Sequence, residues 1–420
     1  MKAFVTDGDQ RPALAITRSL GRRGITVVVG EERSVCLASS SKYCAGGVAY
    51  PSPYSQPEAF DRFLRDFIVR ERVDVVMPVS DVTTYAVARR RTELKRHSAV
   101  AAPSFEAFDL SCDKWRLLQR ASRCGIPIPR THLVEGLAGL MAVLPRTTYP
   151  AVVKPVRSRT LTTHGWIGAG VQYASCEQDL LKLYRTTDHL AHHPSLIQER
   201  IVGPGTGLFV LCERGQVHTA FAHRRLREKP PSGGVSVLSE SIAVDPRLLA
   251  QAARLLGGLG WHGVAMLEYK QDRRTGRLVL MEVNGRFWGS LQLAVDAGVD
   301  FPFLSYQLAA GQALEPPAAY RVGVTSRWLL GDLDNLTQRL LRRDLHLPEP
   351  GPSRFRAIIE FMKVHHYDVC SWKDPRPFIH ELQQYVRLAA CSALRRFRRT
   401  AFQASPWSAA TRDTGTHGSA

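Results

Sequence analysis

The first hundred residues alternate short apolar runs with helical patterns. The runs predict strands at Ala3–Thr6, Ile25–Val29, Val73–Pro78 and Ala99–Ala102, and the helical patterns begin at Pro12, near Pro57 and near Asp81. Strands that alternate with helices in this way are typical of βαβ units, which build a parallel sheet. The sequence therefore predicts an N-terminal parallel-sheet lobe.

The middle of the chain has a different pattern. A helix from Asp113 ends near Gly125, and after Pro150 several β-rich runs are separated by glycines, with helices near Glu177–Tyr184 and Pro246–Leu256. Sheets and helices that are not strictly alternating indicate an α+β arrangement. The last hundred residues are mostly helical and end in a tail rich in Thr, Ser, Gly and Ala, a composition that favours disorder.

These patterns predict a fold class of α/β and α+β. The expected parts are an α/β lobe over residues 1–110, an α+β domain over 111–315, a mainly helical region over 316–404 and a disordered tail over 405–420.

Two apolar runs predict a β-hairpin between residues 264 and 284. If residues 274–276 form a three-residue loop with Gly276 in the left-handed conformation, Arg273 faces Arg277 and the pairing of the two strands is fixed. Counting outward from this loop places Glu268 directly opposite Glu282.

Two carboxylates at directly opposed positions repel each other unless a cation lies between them. Asn284 faces the same way as Glu282, so Glu268, Glu282 and Asn284 offer three oxygen ligands of the kind that Mg²⁺ prefers. An ordinary hairpin whose acidic side chains face solvent is the alternative, and the apolar residues in the rest of both strands argue against it.

A lysine ends the buried strand that precedes a glycine-rich segment. Lys154 stands at this strand end, where an anion would stabilise it, although a lysine that reaches solvent is the simpler alternative. Gly165, Gly168 and Gly170 follow in a segment predicted to be flexible, whose backbone N–H groups could cover phosphates.

The charge of the chain favours an acidic partner. Its 56 Lys and Arg exceed its 38 Asp and Glu by 18, which suits a nucleotide, a phosphorylated metabolite, a nucleic acid or an anionic membrane. Nucleic acid is the less favoured partner because no known binding module is present. The eight cysteines show no ligand spacing for zinc and no disulfide framework, and no signal peptide or membrane span is evident, so a cytoplasmic protein is expected.

Two further basic segments carry weaker signals. Arg225 and Arg227, followed by Ser232 and Gly233, could bind a substrate carboxylate or phosphate, and a basic surface strand is the alternative. The basic amphipathic helix from Pro377 to about Phe397 could lie on an anionic membrane, but packing on its own domain is favoured.

The order of these segments resembles the ATP-grasp superfamily, in particular its carbamoyl-phosphate-synthase-like and predicted carboligase branches. The resemblance covers roughly residues 1–310. It rests on Asp113-Lys114 at the start of a helix, Val153-Lys154-Pro155, the glycine-rich segment, Gln198-Glu199, Glu268, and Met281-Glu282-Val283-Asn284-Gly285-Arg286. It implies that the first lobe is a pre-ATP-grasp lobe and that residues 111–315 are the two-lobed ATP-grasp domain.

The resemblance also implies roles for individual residues. Lys114 and Lys154 would contact the phosphates of ATP, Gln198 and Glu199 would hold adenine and ribose, and Arg286 would meet the γ-phosphate or an acyl phosphate. The metal ligands would be Glu268, Glu282 and Asn284, which would hold two Mg²⁺ ions, with Mn²⁺ as a substitute. Gly285 departs from the usual proline, and the usual acidic residue beyond Gly203 is absent.

The implied activity is that of an ATP-dependent carboxylate-amine ligase, with Lys154 and Arg286 as its catalytic cations. It would convert a small-molecule carboxylate into an acyl phosphate that an amine then attacks. The alternatives are a catalytically inactive ATP-binding regulatory or scaffold protein, and phosphoryl transfer to a non-carboxylate acceptor.

Overall fold

The computed structural model describes residues 1–231, 233–341, 354–363 and 365–403, with side chains of the last helix up to residue 390. The expected disorder of residues 405–420 concerns residues outside these ranges.

The first lobe is built on a five-stranded parallel sheet with the strand order β3-β2-β1-β4-β5. Its strands are β1 Lys2–Val5, β2 Thr26–Glu31, β3 Gly46–Ala49, β4 Val75–Met77 and β5 Ala99–Val100; its helices are α1 Arg11–Gly21, α2 Pro57–Glu71, α3 Asp81–Arg89, α4 Arg91–Leu94 and α5 Phe105–Cys112. The central strands are continuously apolar because helices cover both faces of a parallel sheet. The predicted parallel-sheet lobe is confirmed.

The second unit begins with α6 Lys114–Arg123, whose N-cap residue Asp113 accepts a hydrogen bond from the backbone N–H of Arg116 at 2.9 Å. A four-stranded antiparallel sheet follows, in the order β10-β7-β11-β6. The elements are β6 Thr131–Val134, α7 Gly136–Val143, β7 Ala151–Pro155, β8 Arg159–Thr162, β9 Gly165–Gly168, β10 Gln172–Ala174, α8 Glu177–Thr186, α9 Asp188–His192 and β11 Ser195–Glu199. The strands β8 and β9 form a separate two-stranded hairpin.

The third unit is a seven-stranded sheet with the order β16-β15-β12-β13-β14-β17-β18. The elements are β12 Gly205–Glu213, β13 Gln216–Lys229, β14 Val235–Ile242, α10 Pro246–Gly257, β15 Gly263–Gln271, β16 Leu278–Asn284, α11 Leu291–Ala297, α12 Phe301–Ala309, β17 Thr325–Arg327, α13 Leu329–Leu340, α14 Arg354–Met362, β18 His366–Tyr367 and α15 Arg376–Gln403. One face of this sheet shares a hydrophobic core with α1 and the first sheet, through Phe209, Phe221 and Phe287. The third sheet and the first lobe are therefore packed together through a common core.

The C-terminal region is mainly helical, as expected, and it has two features that the sequence did not predict. It is not purely helical, because β17 and β18 extend the seven-stranded sheet and pair with each other in parallel. Over the part of the last helix, α15, whose side chains are described, the first part packs on the body, where Tyr385 donates to Asp334 at 2.6 Å, while residues 386–390 are all exposed. The favoured packing of this helix on its own domain therefore holds for its first part. No helix among the described residues is long and apolar enough to cross a membrane.

Candidate active site

The hairpin formed by β15 and β16 places the two predicted acidic ligands opposite each other. Glu268 pairs with Glu282, as counted from the sequence, but the loop is wrong by one residue. The backbone N–H of Asp272, rather than that of Arg273, donates to the carbonyl of Arg277 at 2.9 Å, so the loop has four residues. A β-bulge next to Tyr269 then restores the predicted register at the acidic pair.

Glu282 lies at the centre of a charged cluster. The side-chain amide of Asn284 donates to Glu282 Oε1 at 3.1 Å, which confirms that the two side chains face the same way. Burial alone would raise the pKa of Glu282, but the nearby ammonium groups of Lys114 and Lys154 and the amide of Asn284 hold it below its ordinary value. The carboxylate therefore stays ionised.

Two lysines reach this cluster from the second unit. Lys154, on β7, is partly buried; burial lowers its pKa, and the carboxylates of Glu282 and Glu268 oppose that shift. Lys114 is only 7% exposed and donates through Nζ to Ser158 Oγ at 2.7 Å. A buried ammonium needs a compensating anion. The structure thus brings both predicted lysines to the β15–β16 hairpin, called the acidic hairpin because it carries Glu268 and Glu282.

Arg286 follows the hairpin and faces the first lobe. Its Nε donates to Asp81 Oδ1 at 2.7 Å, and one terminal nitrogen lies 3.4 Å from the oxygen of Asn284. Burial would lower the pKa of Arg286, but Asp81 and Glu282 raise it above its ordinary value. The guanidinium group remains charged between the predicted metal ligands and the first lobe.

Arg225, on β13, reaches the acidic hairpin across the strand β12, which has glycines where the arginine side chain passes over it. Its guanidinium donates to Glu268 at 2.6 Å and to Glu228 at 2.9 Å. The intervening strand β12 carries Gly205 and Gly207, and a Cβ on Gly207 would lie 2.5 Å from the ring of Phe209. The close approach explains these glycines, whose role the sequence pattern alone did not reveal.

The other residues predicted to bind a substrate make no hydrogen bond to the acidic hairpin where the structure describes them. Arg227 makes two hydrogen bonds to Asp332, at 2.7 and 2.6 Å, so its charge is compensated within the protein. Gly233 closes a turn by donating to the carbonyl of Pro230 at 3.1 Å, and Ser232 lies outside the described residues. Of the predicted basic segment, Arg225 alone joins the acidic hairpin among the described residues.

The glycine-rich segment is not the flexible loop that its composition suggests. It forms the β8–β9 hairpin, and Gly165, with φ of +102°, packs so closely on the first lobe that a Cβ would lie 2.4 Å from the carbonyl oxygen of Tyr54. Trp166 next to it contacts the ring of Tyr85 edge-on, with centroids 4.9 Å apart. Gly168 ends β9 and Gly170 follows it with open space around it.

Gln198 and Glu199 end the strand β11, as predicted. Gln198 is buried; its amide nitrogen donates to Thr131 at 3.0 Å, while its oxygen has no hydrogen-bond partner among the described residues. The carboxylate of Glu199 accepts from the backbone and side chain of Arg130 at 3.0 and 3.2 Å. Gln198 therefore keeps a buried acceptor free for a ligand at this strand end.

The residues present fit Mg²⁺ and a polyphosphate. Glu268, Glu282 and Asn284 supply three hard oxygen ligands, and the described residues contain no group of three or more His, Cys, Asp or Glu that would hold a metal without a substrate. An ion at this hairpin would take its remaining ligands from phosphate oxygens and water. Lys114, Lys154 and Arg286 surround the same position with positive charge.

A cavity of about 270 Å³ adjoins this cluster. Lys114, Glu282 and Asn284 line one part of it, and the first lobe and the β8–β9 hairpin line another part through Asp81 and Trp166. The cavity therefore lies between the charged cluster and the first lobe.

Comparisons with known proteins agree with this geometry. A family model described as ATP-grasp in the biosynthetic pathway with Ter operon matches residues 192–330. The chain is 22% identical over 375 residues to the carbamoyl phosphate synthase large chain of Thermotoga neapolitana, an alignment that covers 83% of this chain and 32% of that protein. The chain thus spans about a third of the length of this relative.

Solved structures share the fold at low sequence identity. Biotin carboxylase from Campylobacter jejuni, in a complex named β-γ-ATP, superposes with a TM-score of 0.62 at 17% identity over 77% of this chain and 74% of that one. An L-amino acid ligase from Bacillus licheniformis gives 0.56 at 20% identity over 74% and 75% of the two chains. N5-carboxyaminoimidazole ribonucleotide synthetase from Thermus thermophilus gives 0.58 at 18% identity over 77% and 82%. The chain therefore has the ATP-grasp fold.

Proposed function

We propose that this protein is an ATP-dependent ligase that activates a substrate carboxylate as an acyl phosphate, which an amine then attacks. The observation that carries the proposal is the convergence of Glu268, Glu282 and Asn284 with Lys114, Lys154 and Arg286. Three anion-neutralising groups around a set of oxygen ligands suit phosphoryl transfer, because its transition state spreads negative charge over phosphate oxygens.

Each group has a role in this reaction. Glu268, Glu282 and Asn284 would hold Mg²⁺, which neutralises phosphate charge and orients the γ-phosphate when bound. Lys114 and Lys154 would bind phosphate oxygens. Arg286 would stabilise the charge that develops as the substrate carboxylate attacks phosphorus and ADP leaves. Lys154, Arg286 and the metal ligands were all inferred from the sequence.

The β8–β9 hairpin would exclude water from the acyl phosphate. It bridges to the first lobe through the backbone N–H of Trp166, which donates to the carbonyl of Tyr54 at 2.8 Å. The proposed reaction needs no covalent enzyme intermediate, because the acyl phosphate of the substrate is itself the electrophile. Fold neighbours that include an L-amino acid ligase support a ligase reaction of this general kind.

The proposal is tested by trapping the activated carboxylate. Purified protein is incubated with ATP, Mg²⁺ and fractionated cell metabolites, with hydroxylamine as the nucleophile, and ADP and hydroxamate are measured together. Glu282→Gln removes a metal ligand, and Glu240→Gln, which alters an ion pair with Arg224 on the same sheet, is the matched control.

We expect one or more fractions to yield hydroxamate with wild type and Glu240→Gln but not with Glu282→Gln. ADP release without hydroxamate would favour phosphoryl transfer to another acceptor. Nucleotide binding with neither product in any fraction would contradict the ligase reaction and favour a regulatory or scaffold role.

A further inference from the structure

The first-lobe side of the cavity beside the acidic hairpin is not accounted for by the proposed phosphate-binding residues. There it is lined by Asp81 and Tyr85 from α3 and by Trp166 from the β8–β9 hairpin. Asp81 and Tyr85 are one helical turn apart, so both project from the same face of α3. This side of the cavity brings the carboxylate of Asp81 together with the rings of Tyr85 and Trp166.

Asp81 is only partly satisfied by the protein. Its Oδ1 accepts from Arg286 Nε at 2.7 Å, while no donor among the described residues contacts Oδ2. The side chain is 36% exposed on the cavity side of the first lobe, compared with 25% for Arg286. The carboxylate can therefore take a second, external partner.

The charges around the cavity distinguish between the two substrates of a ligase. Two arginines also line the wall. Arg157 is held by Asp109 through hydrogen bonds of 2.7 and 3.0 Å, and the guanidinium of Arg159 lies over the ring of Tyr54, 5.6 Å from its centroid. The second carboxylate oxygen of Asp81, which Arg286 does not contact, is an acceptor that attracts an ammonium group and repels a carboxylate. The rings of Tyr85 and Trp166 favour a cation as well, because a cation is attracted to the face of an aromatic ring.

We propose that Asp81 binds the ammonium group of the amine substrate and that this exchange releases Arg286 toward the phosphate. The inference rests on the proposed ligase function and adds to it the recognition residue for the nucleophile. Asp81 belongs to the first lobe. The first lobe would therefore select the amine, although it is far in sequence from the metal ligands.

The shared ion pair makes the two binding events interdependent. In the free protein Arg286 is engaged with Asp81, and the same guanidinium is needed by the phosphate. An amine that replaces Arg286 at Asp81 lowers the free energy needed to move Arg286 to the nucleotide. Because coupling between two binding sites is reciprocal, a bound nucleotide must also strengthen the binding of the amine. Amine and nucleotide should therefore bind cooperatively.

Two matched pairs of small molecules test the charge preference without knowledge of the natural substrate. Methylamine is compared with acetate, and phenethylamine with 3-phenylpropionate, by calorimetric titration with and without Mg²⁺ and a non-hydrolysable ATP analogue. The proteins are wild type, Asp81→Asn, Asp81→Glu and Asp66→Asn, the last a control on the exposed surface of the first lobe.

We expect wild type to bind at least one amine more tightly than its matched acid, and at least about fivefold more tightly when the nucleotide is present, the lower end of ordinary coupling. Asp81→Asn should lose both the preference and the coupling, whereas Asp81→Glu and Asp66→Asn should retain them.

Equal affinity of wild type for the amine and its matched acid would overturn the role of Asp81, and so would a preference that survives in Asp81→Asn. If wild type binds the nucleotide but shows no amine preference, only the role of Asp81 fails. If wild type binds no nucleotide, the proposed ligase function itself fails.

Discussion

At the scale of single residues, His223 shows how the seven-stranded sheet supports the acidic hairpin. It pairs with Gly207 on β12, which in turn pairs with Glu268 on β15, so the three positions form one row across the sheet. His223 is only 1% exposed, and its Nε2 has no hydrogen-bond partner among the described residues. Burial and the neighbouring Arg225 lower its pKa to about 3.

This histidine makes the stability of the protein depend on pH. Its pKa is lower in the folded than in the unfolded protein, so the unfolded chain binds the proton more readily and stability is lost as pH falls below about 6.5. By pH 5 the loss amounts to about 2 kcal/mol. His223→Gln should therefore show a smaller drop in melting temperature between pH 7 and pH 5 than wild type. The exposed His97→Gln is the control, and an identical drop in all three proteins would contradict the account.

Residue-scale reasoning from the sequence reached the acidic pair because strand periodicity is strict. Glu268 and Glu282 face each other as counted, but a four-residue loop and a bulge, not the expected three-residue loop, produce this pairing. Bulges depend on local twist and packing and have no fixed sequence signature. The partner of Arg286, Asp81, lies 205 residues away and could not be identified by spacing.

At the scale of elements, the β8–β9 hairpin forms one wall of the cavity. Glycine content predicted its position but not its conformation, since glycine permits a flexible loop and a close-packed hairpin equally. The packed form depends on contacts with Tyr54 and Tyr85, which belong to the first lobe. Contacts between residues so far apart in sequence cannot be predicted from the local sequence pattern.

Removing the aromatic contact should open this hairpin. Edge-on ring pairs contribute about 0.5–1.5 kcal/mol, so Trp166→Ala should increase the open fraction by up to about tenfold. Water would then reach the acyl phosphate, and the ratio of ADP released to hydroxamate trapped should rise. Trp372→Ala, at a fully exposed tryptophan, is the control. An unchanged ratio in Trp166→Ala would show that the hairpin does not shield the intermediate.

At the scale of the whole molecule, buried polar contacts join the C-terminal region to the first lobe. Asp374 accepts from Arg18 at 2.9 Å and from Ser41 at 2.6 Å, and side-chain exposure is 3% for Arg18 and 1% for Asp374. Arg11 pairs with Asp368 beside them. These contacts join segments more than 300 residues apart, and the sequence predicted neither them nor the strands β17 and β18, which are only three and two residues long.

Breaking the buried pair should destabilise the protein strongly. Asp374→Asn leaves Arg18 buried without a counter-charge, and the loss of one partner of such a pair costs about 3–5 kcal/mol. Glu93→Gln, which removes an exposed partner of Arg65, should cost about 1 kcal/mol or less. Thermal unfolding followed by circular dichroism compares the two, and equal melting temperatures would contradict the fastening role.

Calorimetric titration of a non-hydrolysable ATP analogue shows whether the acidic hairpin holds Mg²⁺ together with ATP. We predict binding by wild type and Glu240→Gln that requires Mg²⁺, and an affinity at least about tenfold weaker in Glu282→Gln. Equal affinity with Mg²⁺ and with a chelator, or an unchanged affinity in Glu282→Gln, would contradict the assignment of this hairpin as the metal site.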